Sequence, residues 1–263
     1  MRRRDLTDYL ELRRTTENAW EVIRFRHTQR AGRTLIVRRR EAPPLYIRGA
    51  THDCHVYHRI FVKDEYQISG HSGWSCVVDL GANVGFFTAR SAEIARRVIG
   101  YEPLPESFQQ LQRNTRQLPQ VTAVRAAVAA KAGPLRLYRP QNAEQTGMHS
   151  SFRELEDHMS QLFDDVDAVS LDDVFARHEI DHCDLLKLDV EGQEYEILHS
   201  ASAATIDRIQ RIHGEYHDVR PHDPRTRIDD FVRFLRDLGF HTETIPSRKH
   251  PNLGLFFARR PEA

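Results

Sequence analysis

The first residues in this chain placed to do chemistry are two acids, Asp79 and Glu102, 23 positions apart, with a glycine-bearing turn after the first. The run Val77-Val78-Asp79-Leu80-Gly81-Ala82-Asn83-Val84-Gly85-Phe86 reads as a short buried strand, an acid near its carboxyl end, a turn, and the start of a helix. Glycine at 81 and 85 permits backbone conformations and close approaches that a side chain forbids. Open α/β sheets bind their ligands at the carboxyl ends of the strands. The spacing G-A-N-V-G lacks the extra glycine of the dinucleotide fingerprint G-x-G-x-x-G, and a carboxylate at Asp79 would repel a pyrophosphate. The pattern therefore points to a nucleoside without phosphates, whose cationic amino-acid tail Asp79 attracts. Glu102 can accept both ribose hydroxyls, in charge-assisted hydrogen bonds worth roughly 1.5–3 kcal/mol each.

A second group lies further along. Asp189 and Glu191 follow the apolar stretch Asp184-Leu-Leu-Lys-Leu-Asp-Val190, and Glu215 and His217 close the run that starts at Arg208. If these runs are neighbouring strands, the four side chains share one rim. Removing a proton from a hydroxyl needs a positioned base; His217 or Glu215 is the candidate, with Asp189 and Glu191 organising acceptor and loops. Alternatively, Asp189, Glu215 and perhaps His217 could hold Mg²⁺ or another divalent ion, since oxygen-rich ligation suits Mg²⁺. Lys187, two residues before Asp189, shares its strand face and neutralises neighbouring carboxylates. Ser150, Ser151 and His149, in the segment Gly147 to Phe152, are further contacts to donor or acceptor. His52, His55 and His58 have a zinc-like interval, but rings three apart align only on a helix, and Val56, Ile60 and Val62 read against one.

The elements that must position these groups follow from periodicity. Strands are expected at Val77 to Leu80, Val98 to Tyr101, Val121 to Val128, Asp184 to Val190, Arg208 to Glu215, His241 to Ile245 and Leu253 to Ala258, with Leu135 to Tyr138 as a hairpin partner. Helices are expected over Phe86 to Arg96, from Pro105, over Tyr195 to Ala201 and over Ile228 to Leu238. Strand–helix alternation means a doubly wound, mostly parallel sheet. The short Pro246-to-Asn252 turn forces the last strand antiparallel. Residues 1–70 read as an N-terminal α/β extension packed on the core, with Leu6 to Phe25 helical and strands at Thr34 to Val37 and Leu45 to Ile47; residues 71–263 read as the catalytic domain.

Composition bounds the partners. In 263 residues, 38 basic and 38 acidic side chains cancel, so no global field favours nucleic acid or membrane. Residues 1–40 hold twelve arginines against five acids, which reads as a solvated face because arginine replaces lysine throughout; Lys63, Lys131, Lys187 and Lys249 are the only lysines. Cys54, Cys76 and Cys183 are too scattered for a disulfide framework and fit buried thiols of a cytoplasmic protein. No secretion signal and no apolar run of membrane-spanning length is expected.

Taken together, Asp79-Leu-Gly-Ala-Asn-Val-Gly85, Glu102-Pro103, Asp184-Leu-Leu-Lys-Leu-Asp-Val-Glu-Gly192 and Glu215-x-His217 resemble the FkbM family of methyltransferases. The block Lys187-x-Asp189-x-Glu191-Gly192 with Glu194 is the most specific element, and Arg48-x-x-Thr51-x-Asp53 through Tyr66 is similar to the family's lead-in. The likeness leaves the first forty residues unexplained. It implies a class I, Rossmann-like methyltransferase with a seven-stranded sheet, using S-adenosylmethionine to methylate oxygen, commonly a hydroxyl of a sugar or secondary metabolite. The expected cofactor-binding set is Asp79, Gly81, Ala82, Asn83, Gly85, Phe86, Glu102, Pro103, Ala127, Ser151 and Asp189; the expected catalytic set is His217, Glu215, Asp189 and Glu191. Two other classes compete: an NAD-type oxidoreductase on the same fold, which lacks its glycines here, and a non-catalytic nucleoside-binding module. The partner expected is a small hydroxyl acceptor, with a homo-oligomer through the N-terminal helix left open.

Overall fold

The computed structural model describes residues 3–28, 31–140, 159–218, 227–248, 250 and 252–261. The N-terminal extension supplies helices α1 (Arg3–Thr15) and α2 (Ala19–Thr28), the hairpin β1 (Thr34–Val37) and β2 (Leu45–Arg48), and helix α3 (Asp53–Phe61). The single helical pattern expected from Leu6 to Phe25 is two helices. They part at Asn18, whose side-chain amide is spent on β1: it donates to the Ile36 carbonyl at 2.8 Å and accepts from the Arg38 N–H at 2.8 Å. The stretch 52–62, read against a helix, is helical. Cys54, Tyr57 and Ile60, three apart, bury one face, and that burial outweighs the β-branched valines.

The core alternates as expected: β3 (Val77–Leu80), α4 (Phe86–Ser91), β4 (Val98–Tyr101), α5 (Pro105–Thr115) and β5 (Val121–Val124). The single strand expected over Val121 to Val128 breaks after Val124. Its end, β6 (Ala127–Val128), joins a separate three-stranded sheet with β7 (Gly133–Pro140) and β8 (Met159–Val169), in the order β6-β8-β7. The partner of β7 is therefore β8, which the sequence reading missed. Its described part alternates exposed Phe163, Asp165 and Asp167 with half-buried or buried Asp164, Val166 and Ala168, so acids obscure the apolar period. Then follow α6 (Leu171–Arg177), also unread although Ser170 and Asp173 cap it reciprocally, β9 (Leu185–Leu188), α7 (Glu194–Ser200), α8 (Ala203–Ile206), β10 (Arg211–His217), α9 (Ile228–Asp237), β11 (His241–Pro246) and β12 (Leu253–Arg259).

Among the described residues the main sheet has seven strands in the order β11-β12-β10-β9-β3-β4-β5. β12 runs antiparallel between β10 and β11, while β10, β9, β3, β4 and β5 are parallel. The expected doubly wound sheet with an antiparallel last strand is present. From β3 the chain winds outward through β4 and β5, then returns to β9 on the other side of β3. The switch point between β3 and β9 is where such a sheet opens a crevice.

Strand alternation sorts the core. Val78 and Leu80 face one apolar cluster with Leu186, Leu188, Phe175 and Phe231. Val77 faces the other with Leu185, Phe86, Tyr57, Leu12 and Ile23, so the N-terminal extension and the sheet share one core. Charge reinforces that join. Asp8 of α1, fully buried, lies 2.8 Å from Arg26 of α2, 2.9 Å from His58 of α3 and 3.6 Å from Lys63.

Breaking a buried ion network by removing one partner costs about 3–5 kcal/mol. Asp8→Ala, which leaves His58 without its carboxylate and Arg26 with Asp5 alone, is expected to lower the unfolding free energy by about 3 kcal/mol in urea titration. A change below about 0.5 kcal/mol, the scale of a neutral surface substitution, would show that this network does not hold the extension down.

Candidate active site

The centre of the crevice is set by register. β3 and β9 pair so that Asp79 lies opposite Lys187, and both side chains point to the same face of the sheet. The carboxylate has no exposed surface and Lys187 is almost fully buried. The Lys187 Nζ sits 3.2 Å from Asp79 Oδ1 and donates to the Gly81 carbonyl at 2.8 Å. Asp79 Oδ2 accepts from the Thr88 hydroxyl at 2.6 Å. Burial alone would strip the ammonium of its proton; Asp79 and Asp189 overcome that and hold its pKa above the usual lysine value. The turn after β3 is thereby drawn inward. Gly81, at φ +75°, passes so close to the next strand end that a Cβ would lie 1.8 Å from the Asp189 carbonyl oxygen.

On one side of this turn a cavity is lined by Gly81, Asn83, Glu102, Pro103, Ala127 and Asp189, among others. Glu102, buried at the end of β4, accepts from the Asn83 N–H at 2.8 Å and the Leu104 N–H at 2.9 Å, one on each oxygen. Each oxygen keeps a second lone pair for a ligand. Burial pushes the Glu102 carboxyl up to about 7, against the pull of those two N–H groups. Asn83, itself in the left-handed region at φ +50°, has its buried Oδ1 without a hydrogen-bond partner.

On the other side a second cavity is lined by His52, His55, Arg59, Tyr66, Phe87 and Glu215, among others; Gly81, Asn83, Asp189 and Glu191 line both cavities. The rim between them is acidic and tightly tied. The Tyr66 hydroxyl donates to Asp189 Oδ2 at 2.9 Å. Arg59 bonds Glu215 at 2.7 Å and also Glu65. Glu194, fully buried at the start of α7, accepts from the N–H groups of Val190 and Gly192 and lies 3.0 Å from His217 Nδ1. Burial disfavours charge on His217, but Glu194 and Glu191 outweigh it and raise its pKa well above the ordinary histidine value. Burial raises the Glu191 carboxyl in turn.

Most of the expected residues meet here, in altered roles. Asp79 does not line either cavity; its carboxylate is turned to Lys187 and Thr88, so it fixes the turn and offers no open face to a cationic tail. Gly85 serves packing: a Cβ there would meet Leu111 of α5 at 2.6 Å. Ala82 and Phe86 line the second cavity, whereas Pro103 and Ala127 line the first. Of the alternative ion set Asp189, Glu215 and His217, the convergent donor atoms among the described residues are those of Asp189 and His217 with Glu191 in place of Glu215, which pairs with Arg59. Against burial, Glu194 and Glu191 favour the protonated form of His217, which works against its expected role as the base. Ser151, with Ser150 and His149, lies outside the described residues. The histidines of α3 diverge: His58 turns to Asp8, while His52 and His55 reach the second cavity. Arg59, Tyr66 and the role of Glu194 were not foreseen. The one available signal was an acid two residues after Gly192 at a helix start, where a carboxylate is favoured.

Residues 79–242 match the family model described as the methyltransferase FkbM domain. The chain is 26% identical over 227 residues to 31-O-demethyl-FK506 methyltransferase FkbM of Streptomyces tacrolimicus, covering 76% of this chain and 82% of that one. It is 27% identical over 226 residues to the AMB antimetabolite synthetase AmbE of Pseudomonas aeruginosa, covering 71% of this chain but only 10% of that protein's length. Among solved structures, it is similar to a Streptococcus mutans methyltransferase in complex with SAH (TM-score 0.46, 9% identity, 77% of this chain and 97% of that one). It is also similar to magnesium protoporphyrin IX methyltransferase from Synechocystis with bound SAM (TM-score 0.44, 13% identity, 80% and 82% covered).

The buried pair makes a testable demand. Lys187→Met strands Asp79 in the sheet and is expected to cost about 3–5 kcal/mol of unfolding free energy. Asp79→Asn in the same chain should recover part of that loss, because no charge is then left unpaired. Equal costs for the single and double variants, measured by denaturant unfolding, would refute the pairing as the source of stability.

Proposed function

The chain belongs to the FkbM methyltransferase family, and we propose that it moves a methyl group from S-adenosylmethionine to a hydroxyl oxygen of a small molecule, a sugar or secondary metabolite. The observation that carries this reading is the pair of cavities meeting at Gly81, Asn83, Asp189 and Glu191, with Glu102 at the far side of one and Glu215 on the wall of the other. The first fits a nucleoside: Glu102 offers two lone pairs to the ribose hydroxyls, and the unsatisfied Asn83 Oδ1 offers an acceptor to a ligand N–H. Transfer to oxygen is supported by the relative whose name describes methylation of a demethylated FK506 oxygen.

The sulfonium donor supplies a methyl group with a good leaving group already attached, so the chain's task is alignment. Glu102 and the Gly81 turn orient the donor with its methyl towards the shared rim. Tyr66, Phe86 and Phe87 wall the acceptor side and restrict water. The acceptor oxygen forms the new C–O bond as the C–S bond breaks and its electron pair goes to sulfur. The hydroxyl proton leaves to a carboxylate on the acceptor side, for which Glu215 is placed. Asp189, held by Tyr66, fixes the geometry between the two halves.

S-adenosylhomocysteine should bind the wild-type chain, and NAD should not. Losing two charge-assisted hydrogen bonds at Glu102→Ala should weaken S-adenosylhomocysteine by about 100-fold in isothermal titration calorimetry. Glu102 also sets a pH dependence. Its folded pKa of about 7 lies above the ordinary 4.5, so the charged form costs the folded chain stability as pH rises across that interval. The ligand needs that charged form. Affinity should therefore fall as pH drops from about 8 to about 6, by up to about tenfold per unit, and be flat in Glu102→Ala. Undiminished binding by that variant would remove Glu102 from the donor site.

A further inference from the structure

Beside the acceptor cavity, three donor groups from separate points of the chain turn to one gap. Asp189 ends β9, Glu191 sits in the following turn, and His217 closes β10. One oxygen of each carboxylate and one ring nitrogen of His217 lie within 4.8 Å of one another. The histidine is only 5% exposed, and its Nδ1 is committed to Glu194 at 3.0 Å. Nε2 is then the atom presented to the gap, 3.4 Å from Glu191. A carboxylate behind the imidazole, fixing its tautomer and ring orientation, is the arrangement that accompanies metal-ligating histidines. The neighbouring cations are nearer to other partners: Lys187 lies 3.2 Å from Asp79 and donates to the Gly81 carbonyl, against 3.8 Å to Asp189, and Arg59 bonds Glu215 and Glu65.

The geometry points to a divalent-cation site formed by Asp189, Glu191 and His217, with Glu194 as the positioning residue behind the histidine. Two carboxylate oxygens and one imidazole nitrogen favour a first-row ion of the Mn²⁺ type over Ca²⁺, which takes oxygen ligands. Three protein ligands leave coordination positions open, and Glu191 and Asp189 lie where the two cavities meet. Ion binding can be read without the donor present. Its use in methyl transfer rests on the function proposed above: positive charge at this rim would stabilise the negative character that the acceptor oxygen gains as its proton leaves, before that density is drawn into the C–O bond.

The test uses the full chain stripped with EDTA and titrated with Mn²⁺, following the loss of the free-ion electron paramagnetic resonance signal. One Mn²⁺ per chain is expected. His217→Ala and Glu191→Gln should each weaken it by at least about tenfold, and Glu194→Gln, acting through the histidine, by about tenfold. Glu215→Gln, outside the ligand set, should change it by less than about fivefold, a charge effect alone. Each variant is checked for cooperative thermal unfolding by circular dichroism, which shows that it folds, and S-adenosylhomocysteine binding by the wild-type chain is measured separately, so that failure of the ion site and failure of the donor reading are distinguished. No Mn²⁺ bound by the wild-type chain at millimolar concentration overturns the proposal. So does equal affinity in a folded His217→Ala or Glu191→Gln chain.

Discussion

A carboxylate at the centre of a parallel sheet cannot stay charged without a cation buried beside it, because desolvating either ion alone costs several kcal/mol. Asp79 and Lys187 meet that constraint by register, opposite one another on β3 and β9. The same ammonium binds the Gly81 carbonyl, so that carbonyl points into the sheet; the Ala82 N–H then donates to the Tyr101 carbonyl and the Asn83 N–H to Glu102. A well-packed apolar pair could be as stable, but it would not steer the turn. The crevice wall is thus a consequence of how one buried charge is compensated.

The N-terminal extension is part of the same machinery. Its helices share an apolar core with one face of the sheet, and Asp8 ties α1 to α3. That anchoring lets the stretch from Arg59 to Tyr66 lie across the strand ends, where Arg59 fixes Glu215 and Tyr66 fixes Asp189. The Tyr66 carbonyl is also held, 2.7 Å from His213 of β10. The wall of the second cavity is therefore set in part by the N-terminal extension, ahead of the turn and strand ends that line the first.

Crowding acids at the rim works against stability and serves the site. Among the described residues, Asp189, Glu191, Glu194 and Glu215 pair with Lys187, Arg59 and His217, each of them shared between partners. Burial and the neighbouring acids raise the Glu191 carboxyl, whereas at Asp189 burial is outweighed by Lys187 and Arg59, which hold the carboxyl below the ordinary carboxylate value. Residues with perturbed charge in a cleft mark functional sites.

The sequence by itself determined whatever is encoded locally. The apolar run, the G-A-N-V-G turn and Glu102 define strand, bend and second strand within a few residues, and the short turn before β12 forces its direction. The resemblance to the FkbM family adds the rim acids. Tertiary structure alone decided which of those acids meet. Glu191 joins Asp189 and His217 because the turn puts it at φ +53°, and Glu215 is withdrawn by an arginine 156 positions away. It also decided that α3 is a helix, since burial of Cys54, Tyr57 and Ile60 outweighs local preference, and that β8 exists, since pairing with β7 overrides its acidic pattern. The division has one cause: backbone period and turn conformation depend on neighbours in the chain, whereas the partner of a charge depends on what folding brings within a few ångströms of it.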